Sequence, residues 1–215
     1  GSAVKSLAIV LIVLLSAFIA GQAQAVEPIQ VPLDVDALDL TNAIEIHAET
    51  GPRIQVSTAP GADGIVRRIE VSSRDGSNTD WAVFALANTS NEQVDRLLVA
   101  PFFKLVGSRM FWPDLGSSRI ATITPSEGFA LDRQPSEEAD IFLITLDPGA
   151  IITFVAELSA SNVPQLTLWE PDAYKDTINS FTLYRGIVLG ISGLLAVFLT
   201  ILFVVKGSSM FPATA

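Results

Sequence analysis

Apolar positions along this chain follow two different patterns. Long apolar runs with few polar residues stand near both ends, whereas the runs between them are short, rich in β-branched and aromatic residues, and separated by turn-forming residues. Short runs of this kind are typical of strands. They predict strands over residues 64–72, 81–87, 94–100, 119–124, 140–146, 150–158 and 165–169. Seven short strands with turns between them indicate an all-β domain built as an antiparallel β-sandwich.

Two of these strands predict a hairpin in the core. Asp140–Leu146 and Ala150–Leu158 each place apolar side chains on one face, and Asp147-Pro148-Gly149 between them favours a tight turn. The residues on these faces are Phe142, Ile144 and Leu146 in the first strand, and Ile152, Phe154, Ala156 and Leu158 in the second. Trp81–Ala87 is instead apolar at every position, which predicts a central strand covered on both faces.

The N-terminal apolar run has the features of a secretion signal. Lys5 precedes Leu7–Ala20, which only Ser16 interrupts, and Ala23-Gln24-Ala25 is a small-x-small cleavage pattern. We therefore expect residues 1–25 to be a signal peptide cleaved after Ala25. The alternative is a membrane anchor, but a membrane-spanning helix needs roughly 20 apolar residues and this run is shorter.

The C-terminal apolar run predicts a transmembrane helix over Gly186–Val205, with no charged residue. Its 20 residues reach about 30 Å as a helix, which matches the hydrocarbon core of a bilayer. A buried helix of a soluble protein is the alternative, but such a helix rarely stays apolar on every side. Glu170-Pro171-Asp172 predicts the start of a helix, so residues 170–185 form a juxtamembrane stalk after a β-sandwich over 26–169.

The charges flanking the span do not set its orientation, because Arg185 and Lys206 stand on opposite sides. The export signal does: residues 26–185 are expected in the periplasm of a bacterium, with the helix in the inner membrane and residues 206–215 starting a cytoplasmic part. Because Lys5 and Lys206 lie outside it, the segment 26–185 holds 11 basic and 23 acidic residues, a net charge of −12. Such a charge does not favour nucleic acid as a partner.

Three segments resemble one bacterial receptor family. They are LDLTNAIEI at 38–46, similar to an opening strand, WAVFALANTS at 81–90, similar to an aromatic strand followed by Asn-x-Ser, and LYRGIVLGI at 183–191, similar to the entry into helix one. The family is the seven-transmembrane receptors with diverse intracellular signalling modules. The resemblance implies a jelly-roll-like β-sandwich as the periplasmic sensor domain. It also implies a cytoplasmic output, such as cyclic-di-GMP synthesis or hydrolysis or a histidine kinase, which this chain does not contain.

Catalytic and metal-binding patterns are weak in this sequence. His47 is the only histidine and has no acidic and nucleophilic neighbours of the kind that a triad requires, so we expect a surface or strand-edge residue. With no cysteine, the chain offers one of the four nitrogen or sulfur ligands of structural zinc. The acidic residues Glu137, Glu138 and Asp140 are expected to be solvated. We therefore expect no enzyme activity in this fragment, no metal and no cofactor.

A calcium-binding EF-hand loop starting at Asp34 is also not supported. Its fifth position needs an oxygen ligand but holds Leu38, and its sixth position needs glycine but holds Asp39.

Aromatic and charged residues concentrate between Phe102 and Leu115. Flat rings beside an Arg and a carboxylate are suited to a carbohydrate or another small polar ligand. The candidate ligand-binding residues are Phe103, Lys104, Arg109, Phe111, Trp112 and Asp114. The alternative is that these rings cap the end of the core.

Gly186, Gly190 and Gly193 place small residues along one side of the predicted transmembrane helix. Such spacing permits close approach of a second helix, either in a homodimer or within a larger bundle.

The sequence thus predicts a ligand-sensing domain that signals through its membrane helix. The rival hypothesis is a membrane-tethered carbohydrate-binding or envelope-organising β-sandwich that passes no signal. A secreted hydrolase is the third hypothesis, but the sequence shows no pattern of a catalytic nucleophile with its general base.

Overall fold

The computed structural model describes residues 24–48, 51–77, 79–106, 110–113, 118–128, 130–159 and 164–208. The predicted signal peptide, residues 1–25, lies outside these ranges except for its last two residues, as do residues 209–215. The chain divides into two compact units, the first ending at Trp169 and the second beginning at Glu170.

Strands dominate the first unit, as expected, and a single long helix fills the described part of the second. A short 3-10 helix covers Thr41–Ala43, and the long helix α1 covers Pro171–Ser208. The strands are β1 Pro28–Gln30, β2 Ala37–Asp39, β3 Glu45–His47, β4 Arg53–Ser57, β5 Arg68–Ser72, β6 Asp80–Ala87, β7 Val94–Pro101, β8 Phe103–Val106, β9 Met110–Pro113, β10 Ile120–Pro125, β11 Asp132–Gln134, β12 Ala139–Leu146, β13 Ile151–Leu158 and β14 Thr167–Trp169.

Two five-stranded sheets form the body of the first unit. Sheet A has the order β1-β6-β13-β10, with β3 also paired to β6, and sheet B has the order β11-β12-β7-β14-β2. Two hairpins, β4–β5 and β8–β9, are separate two-stranded sheets. The prediction of an antiparallel arrangement is wrong at β1, which runs parallel to β6. There β1 pairs with Ala85–Ala87 and β3 with Trp81–Val83, so two short strands share one edge of β6.

Buried side chains from both sheets belong to one hydrophobic cluster. Sheet A contributes Phe84 and Phe154, whose ring centroids lie 5.3 Å apart, and sheet B contributes Leu98 and Phe142. Each large apolar side chain that is fully buried in this way contributes roughly 1.5–3 kcal/mol. The two predicted apolar faces, at 142–146 and 152–158, both lie in this cluster or pack against it, so the prediction of these core faces is confirmed.

The opposite face of sheet A is covered by the hairpin β4–β5. Ile54, Val56 and Val71 of the hairpin form a second cluster with Trp81 and Val83 of β6. Every residue of Trp81–Ala87 is buried, which confirms the prediction of a central strand covered on both faces.

The predicted hairpin between Asp140–Leu146 and Ala150–Leu158 is wrong. Strand β12 pairs with β7 and β11 in sheet B, whereas β13 pairs with β6 and β10 in sheet A. The turn at Asp147-Pro148-Gly149 therefore carries the chain from one sheet to the other. Gly149 occupies the left-handed region with φ +75°, which favours glycine and lets the turn reverse direction in few residues.

The segment that resembles an opening strand, residues 38–46, is interrupted. Ala37–Asp39 pairs with β14 in sheet B, and Glu45–His47 pairs with β6 in sheet A. The 3-10 turn at Thr41–Ala43 lies between them, and the carboxylate of Asp39 accepts a hydrogen bond from the Thr41 amide at 2.9 Å. A hydrogen-bonded turn of this kind ends one strand and starts the next.

Asn88 ties together the loops that follow β6 and β12. Its buried side-chain amide donates hydrogen bonds to the carbonyl oxygens of Glu92, Leu146 and Asp147 at 2.7, 3.0 and 3.1 Å. Its Oδ1 accepts a hydrogen bond from the Ser90 amide at 3.1 Å. One side chain thus satisfies three carbonyl groups next to the turn between the sheets.

Helix α1 starts with a built cap and continues without interruption through the predicted stalk and span. Pro171 is its first residue, and the Glu170 carboxylate accepts a hydrogen bond from the Ala173 amide at 2.8 Å. Residues Gly186–Gly207 are long and apolar enough to cross a membrane. A Cβ atom added at Gly186, Gly190 or Gly193 would meet no atom within 4 Å, so these positions are open for contact with another helix.

The loop between β4 and β5 is held by an ion pair. Arg67 donates to both carboxylate oxygens of Asp63, at 2.6 and 3.3 Å, and the Ile65 amide donates to Asp63 at 3.0 Å. Gly64 within the loop has φ +75°. The predicted strand over 64–72 therefore begins only at Arg68, because residues 64–67 belong to this hydrogen-bonded loop and not to the strand.

We expect Asn88→Asp to lower the free energy of unfolding by about 3 kcal/mol, because an oxygen replaces the amide that donates to three carbonyls. Urea unfolding of the detergent-solubilised chain, followed by Trp fluorescence, measures the change. Thr89→Ser, at the exposed neighbouring position, is the control. An Asn88→Asp midpoint equal to that of wild type would contradict the assigned role.

We expect the carboxyl group of Asp63 to titrate with a pKa of about 2, below its ordinary value of 3.8, because the Arg67 guanidinium and the Ile65 amide stabilise the carboxylate. The pair thus stabilises the fold above pH 3.8, and this contribution is lost as the pH falls through about 2. Carboxyl-carbon NMR titration measures the pKa. Arg67→Ala should raise it towards 3.8, and Arg68→Ala should leave it unchanged.

Candidate functional site

The predicted ligand-binding segment folds as the hairpin β8–β9. Its register places Lys104 opposite Trp112 and Leu105 opposite Phe111, with Phe103 opposite Pro113. The backbone thus brings four of the six predicted residues into one two-stranded ribbon. Arg109 and Asp114 lie outside the described residues, as do the side chains of 104–113.

Where the ribbon begins, an aromatic ring and an arginine are in contact. The guanidinium of Arg119 lies over the ring of Phe102, 3.8 Å from its centroid. At an exposed position such a cation–π contact contributes roughly 0.5–1 kcal/mol. The Phe102 amide donates to the Glu138 carbonyl at 2.9 Å, and the Arg119 amide donates to the Ser159 hydroxyl at 2.9 Å. A ring and an arginine thus meet beside the predicted segment, in two residues that are not among the six predicted ones.

Beside this contact, Arg133 and Asp140 form an ion pair within sheet B, and each also bonds to β10 of sheet A. Arg133 Nη2 lies 2.6 Å from Asp140 Oδ1, and the Asp140 side chain is only 8% exposed. The other oxygen of Asp140 accepts from the Ile120 amide at 3.0 Å. Arg133 also donates to the carbonyl oxygens of Ile120 and Ala121, each at 3.1 Å. Because β10 belongs to sheet A, and β11 and β12 to sheet B, the bonds to Ile120 and Ala121 connect the two sheets at this edge.

The prediction that Asp140 is solvated is therefore wrong. Asp140 lies in β12, as the predicted strand over 140–146 requires, and its burial is compensated by the arginine and the Ile120 amide. Burying a carboxylate without such partners would be far too costly. Glu137 and Glu138 precede β12, and both are exposed or half-buried.

An open groove of about 660 Å³ is lined by Phe102, Arg119, Arg133, Glu137 and Asp140. Arg119 and Glu137 offer opposite charges, and Phe102 offers a ring face beside hydrogen-bonding Gln134 and Ser136. Such a surface can bind a polar ligand with several hydroxyl groups through hydrogen bonds and ring contact. Of the two arginines, Arg133 is committed to Asp140 and to backbone carbonyls, whereas Arg119 contacts the Phe102 ring.

A second buried carboxylate, which sequence reasoning missed, is Glu157 in β13. It accepts hydrogen bonds from the hydroxyl groups of Ser73 and Thr122 at 2.7 and 3.2 Å, and from the Arg74 amide at 3.2 Å. A charged residue inside the apolar run 150–158 is the signal that could have found it. These bonds fasten the end of β5 to sheet A, so its role is structural.

His47 offers no general base for Glu157. Both residues stand opposite Trp81, on its two neighbouring strands, so their backbones are about 10 Å apart. His47 is half-buried at the end of edge strand β3, which confirms the expectation of a strand-edge residue. Within the described ranges, no group of three or more His, Asp or Glu side chains is placed to hold a metal ion.

Comparison with known proteins gives no match for this chain among family models, curated proteins or solved structures.

We expect Arg133→Ala to lower the free energy of unfolding by about 2 kcal/mol, because it leaves the buried Asp140 carboxylate with the Ile120 amide as its remaining bond. Urea unfolding measures the loss. Arg53→Ala is the matched control, since Arg53 pairs with Glu70 at 3.6 Å on the surface and should change stability by less than about 1 kcal/mol. Equal effects of the two variants would show that Arg133 contributes no more to stability than an exposed ion pair does.

Proposed function

We propose that this chain is the periplasmic ligand-sensing domain and first transmembrane helix of a bacterial inner-membrane receptor. In this proposal sheets A and B form a jelly-roll-like β-sandwich. Support comes from the single hydrophobic cluster to which both sheets contribute, and from the repeated passage of the chain between the sheets, as near Thr41–Ala43 and Asp147–Gly149. The fragment itself is not an enzyme, and the output, cyclic-di-GMP turnover or a kinase, lies elsewhere in the receptor.

The observation that carries the proposal is the short connection between the β domain and α1. One residue, Glu170, separates the end of β14 from the first residue of the helix. A passive tether has no need of this arrangement, because flexible linkers rich in glycine and serine serve it equally well. A sensor does need it, because a flexible linker would absorb any displacement of the strand.

The last strand is also well placed within sheet B. β14 lies between β7 and β2, and its Leu168 is buried. One register row runs across all five strands of the sheet, from Asp132 in β11 through Leu143, Leu97 and Trp169 to Ala37. A shift of the edge strand thus has a continuous path of paired strands to the residue before Glu170.

The groove beside Phe102 and Arg119 is the proposed site for a carbohydrate or another small polar ligand. A ligand shifts a conformational equilibrium only by its difference in affinity for the two states. The open α1 positions at Gly186, Gly190 and Gly193 would then accept a neighbouring helix, in a homodimer or in the receptor's own bundle.

Because the sequence contains no cysteine, single-cysteine variants report the topology cleanly. We expect Ser72→Cys, at an exposed position of β5, to react with a membrane-impermeant maleimide in intact spheroplasts. Gly207→Cys, at the far end of the span, should react only after lysis. Reaction of Gly207→Cys in intact spheroplasts, or protection of Ser72→Cys, would refute the proposed orientation.

Reading the gene beyond Ala215 separates the sensor from a passive carbohydrate-binding tether. The sensor requires six further apolar segments and a cytoplasmic signalling module. A stop codon directly after Ala215 would leave a tethered binding domain and would end the receptor proposal.

A further inference from the structure

A second cavity, of about 250 Å³, opens near the other end of β12 from the groove. It lies between the connection from β10 to β11, the end of β12 and the start of β13. Its floor reaches the core shared by the two sheets, because it is lined by Ile144, Ile152 and Phe154, with Leu131 beside them. An apolar cavity of about 150 Å³ already holds a benzene molecule, so this one has room for a single ring with a short chain.

Carboxylates surround the apolar floor. Glu127, Asp132 and Asp147 line the cavity, and its lining includes no lysine, arginine or histidine. Asp132 and Asp147 accept hydrogen bonds from the neutral amides of Gln134 and Gln93, at 3.0 and 2.7 Å. In the described part of the chain, none of the three carboxylates makes an ion pair.

Arg67, a cation that interacts with Glu127, is already bonded to another carboxylate. Glu127 attracts Arg67 electrostatically, but the Arg67 guanidinium lies 2.6 Å from a carboxylate oxygen of Asp63. Because Asp63 offsets the charge of Arg67, this pair adds no net positive charge beside the three carboxylates of the cavity.

We infer that this cavity binds a small organic cation, an amine with one ring or a short branched chain as its apolar body. The body displaces water from Ile144, Ile152 and Phe154, which is favourable in proportion to the apolar area removed from water. The ammonium group meets the carboxylates at the entrance, where partial exclusion of water strengthens their attraction. A neutral ligand gains only the first of these contributions, and an anion is repelled.

The site differs from the groove in both shape and charge. The groove is wider, has Arg119 at its surface and suits a ligand rich in hydroxyl groups, whereas the cavity is smaller, apolar inside and acidic outside. Asp132 lines the cavity and its neighbour Arg133 lines the groove, so the edge strand β11 contributes to both. Binding in the cavity does not require the membrane orientation or the signalling role proposed above.

Calorimetric titration of the detergent-solubilised chain with phenethylamine tests the inference. The neutral 2-phenylethanol and the anionic 3-phenylpropionate are comparison ligands of similar size. We expect the amine to bind at least tenfold more tightly than the alcohol, and the acid to give no binding. The preference for the amine should shrink as salt is raised.

Two variants locate the site. Asp132→Asn and Asp147→Asn should each weaken phenethylamine binding by about five- to tenfold and leave binding of the alcohol unchanged. Asp75→Asn, in the exposed turn after β5, is the matched control and should bind the amine as wild type does. Because these are exposed surface positions, thermal unfolding should confirm that each variant is folded.

Absence of phenethylamine binding at millimolar concentration, equal affinity for the amine and the acid, or equal affinity in Asp75→Asn and Asp132→Asn would each overturn the inference. None of these outcomes bears on the topology test. The cysteine variants would identify a receptor with the proposed orientation even if it has no amine site. The calorimetry would identify an amine site even if the chain is a passive tether.

Discussion

Strands β6 and β13 must be covered on both faces, because almost every side chain that they present is apolar. Sheet B covers one face through Leu98 and Phe142, and the hairpin β4–β5 covers the other through Ile54 and Val56. Trp81 of β6 is fully buried by this covering, although its Nε1 has no hydrogen-bond partner among the described residues. Such an unpaired donor costs about 1–3 kcal/mol, which the apolar burial around it offsets.

Alternation along the chain predicts which residues face the core, but it does not predict which strands are neighbours. Phe142 and Phe154 were placed on core faces correctly, and yet their strands lie in different sheets. A tight turn with Gly149 suits a hairpin and a crossing between sheets equally well, so the pattern could not separate the two. Three-residue strands such as β1 and β11 are too short for any period to show.

Of the segment that the sequence predicts for ligand binding, between Phe102 and Leu115, Phe102 lines the groove. The other residues that line the groove lie outside that segment. The contact of Arg119 with Phe102, and the bonds of Arg133 and Asp140 to β10, join residues of separate segments, and the sequence pattern does not predict which segments meet. Glu157 was visible as a charge within an apolar strand, although its partners Ser73 and Thr122 were not.

The length of α1 before the apolar span sets an electrostatic distance. Pro171–Arg185 extends about 22 Å along the helix axis, at 1.5 Å for each residue. The Debye length at physiological ionic strength is about 8 Å, so this stretch exceeds two such lengths. In the proposed receptor, charges at the start of α1 lie this far along the helix axis from the start of the apolar span, so they are screened from anionic lipid headgroups. In the proposed receptor, the first turn of α1 can therefore carry the acidic residue Asp172 without repulsion from the membrane surface.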